Sequence, residues 1–121
     1  MTTVLLIATV ICAVANASDA VASYARAPFV LANSAEVRVP PAALPYLATL
    51  KLAGAVGLLI GLIGVPWLGL AAGAGLIAFF VGAVLAHVRA RVFHNIAFPA
   101  GFLLLAVAAT GYFAGRTVTA M

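Results

Sequence analysis

Charge is what this sequence has least of. Six Lys/Arg and two Asp/Glu residues make 7% of 121 positions, where a soluble domain carries about 25%. Apolar residues make up 67% against about 45–50% in soluble proteins, and the mean hydropathy is +1.29. A water-soluble globule of this length would wear that hydrocarbon as one large apolar surface patch, which soluble monomers avoid. A soluble enzyme and a disordered tail are thereby excluded. Cysteine is also scarce. Cys12 stands alone, so an intramolecular disulfide and a CxxC pair are absent, which argues against thiol redox chemistry confined to this chain. The net charge of +4 comes from cations scattered between apolar runs. No basic stripe interleaved with aromatics is present, so nucleic acid is not an expected partner.

What is there is long apolar runs. About 20 apolar residues cross a bilayer as a helix, and four such spans account for most of the chain, at 3–24, 45–64, 67–88 and 96–114. Pro45 and Pro99 suit first turns of helices. Val65-Pro66 breaks the second span from the third and makes the pair an antiparallel hairpin. The expected fold is all-α: an integral membrane four-helix bundle, a single transmembrane domain over 1–121, with a long loop between helices 1 and 2. That loop contains Pro28, Pro40 and Pro41 and apolar Phe29, Val30 and Leu31. Its composition places it in the interface or folded back over one mouth of the bundle.

Ala15-Asn16-Ala17 fits a small-x-small cleavage site, but no Lys or Arg precedes Arg26. A secretory signal needs a cationic start, so the first helix is expected to stay in the protein. Arg26, Arg38, Arg89 and Arg91 fall in the odd-numbered loops and only Arg116 on the other side. The positive-inside rule then places these loops in the cytoplasm and both termini outside.

Polar residues inside the spans are costly and hence informative. Asn16 and Asp19 are three apart and share a helix face. Asp19 and Lys51 each lie roughly 8–9 Å inside the same end of their helices at 1.5 Å per residue, so an ion pair is available between them. His87, Arg89, Arg91 and His94 fall at that end, with Tyr24 and Tyr46 at the rim. Such a polar funnel over hydrocarbon suits an amphipathic molecule: a quinone, a lipid headgroup or an isoprenoid alcohol. The candidate ligand-binding residues are Asn16, Asp19, Tyr46, Lys51, His87 and Arg89, with Asp19 and His87 as candidate catalytic groups. Plainer roles stand beside these. Lys51 has a stem long enough to snorkel, Asp19 can serve a structural ion pair, and tyrosines commonly sit at membrane interfaces. Two histidines seven apart match no metal-ligand spacing, and no nucleophile–base or phosphate-loop motif is present. No metal or cofactor is expected.

Gly57 with Gly61, and Gly69 with Gly73, are small-xxx-small pairs that let helix backbones approach closely. Packing within the chain is their expected use. Remaining glycine faces are available to a homo-oligomer or a larger membrane complex.

The run from Leu44 to Ala109 carries a glycine-rich second helix, a tight Pro turn, Gly82-Ala83, His87-Val88-Arg89 and a proline-led fourth helix at Pro99. In these features it resembles the DoxX-like family of small bacterial membrane proteins. The resemblance implies a four-helix membrane bundle. It also implies a redox setting, since members are similar to a subunit associated with a thiosulfate:quinone oxidoreductase, and others are linked to oxidative-stress complexes or to membrane assembly. Many members carry a glutamate in the second helix where this chain has Lys51, so chemistry needing that carboxylate does not transfer. Three readings follow: an accessory subunit of a membrane redox or quinone-linked system, a protein that binds or converts a quinone or isoprenoid-like lipid at the Asp19, Lys51 and His87 mouth, and an oligomeric small-molecule transporter.

Overall fold

The computed structural model describes residues 1–120. Four long helices are apolar enough to cross a membrane: α1 (Thr2–Tyr24), α3 (Leu44–Leu62), α4 (Pro66–Ala90) and α5 (Ala97–Ala120). The expected spans are therefore present. α4 runs two residues further at its C-terminal end than expected, and α5 six, because Arg89 and Arg116 end the apolar runs without ending the helices, and no proline follows to break them. The protein is a multi-pass membrane protein. The segment between the first two spans is not a loop, as the composition suggested. It folds as a nine-residue helix α2 (Pro28–Glu36) and a 3₁₀ turn (Pro41–Ala43). Pro28 explains the start, because a proline in the first turn has its φ preset and lacks only an N–H the helix would leave unpaired.

The bundle is square. α1 packs against α3 and α5, and α4 packs against the same two, leaving α1 and α4 on one diagonal. Up-down-up-down connection, with short turns between α3 and α4 and between α4 and α5, favours this order. All four helices meet in a core of Cys12, Ala13, Leu58, Leu76, Phe80, Ala106, Ala109, Tyr112 and Phe113. Lipid removes the hydrophobic force between membrane helices, so close approach must supply the attraction. Glycine provides it at Gly61, where an added methyl would lie 2.6 Å from Gly69 Cα and 2.8 Å from the Phe113 ring. Gly57 likewise faces Ala72, and Gly73 faces Thr110. The glycine pairs thus serve packing within the chain. Hydroxyls in the spans turn inward to their own helix: Thr9 donates to Leu5 O, and Thr110 to Ala106 O, each at 2.7 Å.

One end of the bundle, here the mouth, gathers the C-terminal ends of α1 and α4 and the N-terminal ends of α3 and α5. Every charged side chain except Arg116 belongs to this end. Arg26, Arg38 and Arg91 follow α1, α2 and α4, and each adopts a left-handed backbone with φ of 53, 64 and 58°. The amide that follows each of these arginines then closes back, as Val92 N–H to His87 O at 2.9 Å. Glycine usually fills such positions. Arginine adds a cation at the negative end of the helix dipole.

Candidate functional site

Lys51 on α3 reaches across to Asp19 on α1, and the two are ion-paired. Both are largely withdrawn from solvent, with side-chain exposures of 15 and 26%. The ammonium also lies 5.4 Å from the centre of the Phe79 ring on α4. A lysine carries three donors and Asp19 takes one, so the group retains capacity for a carbonyl or hydroxyl oxygen. Tyr24 ties the same helices at the rim. Thr49 donates its proton to Pro45 O at 2.7 Å, so the 2.6 Å bond between the two hydroxyls has Tyr24 as donor.

His87 stands on α4 beside the pair. Its Nδ1 lies 2.9 Å from Ala83 O. A carbonyl only accepts, so Nδ1 carries the proton, and the neutral ring keeps Nε2 as an acceptor.

α2 lies over the mouth. Val30 is buried beneath it. Asn95, in the turn before α5, donates to Asn33 Oδ1 at 3.4 Å, and His94 donates to the Glu36 carboxylate at 2.6 Å. The segment between α1 and α3 is thereby fastened to the turn between α4 and α5, closing the mouth from above.

Two cavities lie under this strap and share Asp19, Lys51, Phe29, Asn33, Phe79, Ala83 and His87 in their walls. The smaller, about 230 Å³, is aromatic, completed by Phe80, Phe98, Pro99 and Phe102 together with Asn95. The larger, about 480 Å³, is aliphatic, bounded by Val30, Val37, Val39, Leu44 and Leu47 and by the α4 face of Ala78, Gly82 and Ala86. Asn95 is only 9% exposed, yet its Oδ1 lacks a hydrogen-bond partner.

Of the residues expected at the site, the structure brings together Asp19, Lys51 and His87. It does not bring Tyr46, Arg89 or Asn16. Tyr46 is 76% exposed because it points out of the first turn of α3, and Arg89 is exposed past the end of the cavity wall. Asn16 is fully buried one turn deeper, donating to Cys12 O at 2.8 Å, and lines neither cavity. Phe29, Asn33, Phe79 and Asn95 line the site without having been singled out. A signal for two of them existed: Pro28 starts a helix just as Pro45 does, and Phe29 and Asn33 are then one turn apart on the same face.

A further cavity of about 440 Å³ opens at the opposite end, around Leu5, Pro66, Tyr112 and Arg116. The core from Phe80 to Tyr112 separates it from the mouth.

In comparison with known proteins, the DoxX-like family matches residues 7–109, which takes in α1 as well as the later helices. No curated protein and no solved structure matches the chain.

Proposed function

The chain belongs to the DoxX-like family, and we propose that it holds a small amphipathic molecule of the quinone class at its strapped mouth, as an accessory subunit of a membrane redox system. The observation that carries this reading is the junction of the two cavities at Asp19, Lys51 and His87. Ligand sites are mostly apolar concavities with a few convergent polar groups, and this one offers a spare ammonium donor and an imidazole acceptor in aromatic surroundings. A planar ring fits beside Phe79, Phe80 and Phe102, which already pack edge-to-face with centroids 5.0 and 5.1 Å apart. Quinone oxygens accept from Lys51, and the hydroxyls of the reduced form donate to His87 Nε2. Asp19 holds the ammonium in place, and with His87 it is the group to which a proton would pass if the bound molecule were converted. The family resemblance supports the redox setting. Four arginines at or just past helix ends of the mouth support its facing the cytoplasm of a bacterial cell.

The test is native mass spectrometry of the protein released gently from its own membrane, with extraction of small molecules from the same sample. A stoichiometric quinone-like adduct in the wild type, lost in Asp19→Asn at a temperature where circular dichroism shows that variant still folded, is the expected result. A bare mass that stays bare after incubation with a short-tailed benzoquinone would overturn the binding role. Co-purification with a larger membrane oxidoreductase is the expected sign of the accessory role.

The transporter reading has less support. Apolar side chains fill the described core between the two ends, so flux would need an oligomer.

A further inference from the structure

We infer that the aliphatic cavity between α3 and α4 is the exit for the ligand's apolar tail, and that Gly82 sets the width of that exit. The inference rests on the ligand-binding reading above and adds how the molecule is oriented and which part of it this chain selects. The two cavities meet at the polar groups but differ in chemistry. Phe29 and Phe79 border both; Phe80, Phe98 and Phe102 add three more rings to the smaller one, whereas valines, leucines, Ser23, Ser34 and a smooth α4 face complete the larger. A molecule with a flat head and a hydrocarbon chain divides between them in one direction only. Its polar atoms then fall at Lys51 and His87, and the head comes within reach of the unpartnered Asn95 Oδ1.

Depth decides where the chain goes. Asp19 lies five residues from the mouth end of α1 at Tyr24, about 8 Å down at the helical rise. Gly82 lies eight residues from the end of α4 at Ala90, about 12 Å down, at the level of lipid acyl chains. Ala78 and Gly82 are exposed although they line the cavity, so the cavity is open on that side. An opening at that depth leads into lipid, not water.

Gly82 differs from the glycines that serve packing. Methyls on Gly54, Gly57, Gly61, Gly69 and Gly73 would each strike a neighbouring helix or its side chain, whereas one on Gly82 meets nothing within 4 Å. Close helix contact therefore does not explain a glycine there. Gly75, Gly101 and Gly111 share that open space, but of these four Gly82 alone lines this cavity, so a larger side chain there would enter it. Gly75 also faces open space but lines no part of the cavity, which makes it the matched control.

The experiment compares a methylated dimethoxy-benzoquinone without a tail and the same ring with a decyl tail, each added to the protein in lipid nanodiscs and read by native mass spectrometry. The wild type is expected to take up both. Gly82→Leu is expected to weaken binding of the decyl quinone at least about tenfold and that of the tailless ring by less than about twofold. Gly75→Leu should bind both as the wild type does, and thermal unfolding of Gly82→Leu should match the wild type or exceed it. Retention of the decyl quinone by Gly82→Leu would overturn the tail exit while leaving the ligand site standing. Equal loss of both rings would also overturn it, since the leucine would then be acting on the head. Failure of the wild type to take up either ring would overturn the ligand-binding reading itself and the tail exit with it.

Discussion

Lys51 and Asp19 stand on different helices, and the ammonium that pairs with Asp19 on α1 also lies 5.4 Å from the Phe79 ring of α4. One side chain therefore holds three of the four spanning helices in register at the mouth. This register aligns the walls of both cavities.

Removing one partner leaves the other charge in a poorly hydrated place. Exposed pairs contribute about 0–1 kcal/mol, and breaking a fully buried one costs about 3–5 kcal/mol. For this partly buried pair Lys51→Met is expected to cost about 1–3 kcal/mol. The double change Asp19→Asn with Lys51→Met should recover at least half of that. Reversible unfolding in mixed detergent checks both, and a double-variant cost equal to the sum of the separate Asp19→Asn and Lys51→Met costs would show that the pair is not coupled.

The packing glycines and the open ones should respond with opposite signs. A methyl on Gly69 would lie 2.5 Å from the Phe113 ring, so Gly69→Ala is expected to destabilise by about 1–3 kcal/mol, the usual range for overpacking. Gly75→Ala meets open space and gains helix propensity, with an expected stabilisation of up to about 1 kcal/mol. The same unfolding assay distinguishes them.

The α2 strap rests more on Val30 than on its ion pair. Glu36 and His94 are exposed, at 42 and 66% of their side chains, and such pairs contribute about 0–1 kcal/mol. Hydrogen exchange of amides 29–36 should accelerate strongly in Val30→Ser and only slightly in Glu36→Gln. The amides of α4 should be unchanged in both, because local opening of the strap leaves the bundle intact.

Arg91 ends α4 with φ of 58°. A non-glycine residue there costs roughly 1–2 kcal/mol, and a cation at a helix C-terminus returns about 0.3–1 kcal/mol. Arg91→Gly is expected to keep stability within about 0.5–1 kcal/mol of the wild type, whereas Arg91→Val loses the charge and retains the strain. Thermal unfolding of the two variants should rank Gly above Val.

The spanning helices were legible because a bilayer imposes a length and a polarity on any segment that crosses it. The runs ending at Tyr24 and broken at Val65-Pro66 meet that requirement without reference to one another. The depth of Asp19 and Lys51 could be counted from the same helix ends, which made their pairing available before their helices were known to be neighbours. α2 was missed because nine residues are too short to show a span. Its proline start was the same signal already read at Pro45 and Pro99.

By itself the sequence determined the membrane class, the number of crossings, the tight hairpin at Gly64-Val65-Pro66 and the gathering of charge at one end. Each follows from local composition and backbone chemistry. Tertiary structure alone decided which polar residues share a site. Whether a side chain faces a cavity, a neighbouring helix or lipid depends on how each helix is rotated against its partners, and helices apolar on all sides carry almost no periodic signal for that rotation. The structure therefore separates Asn16, Tyr46 and Arg89 from the cavities and brings Asn33, Phe79 and Asn95 into them.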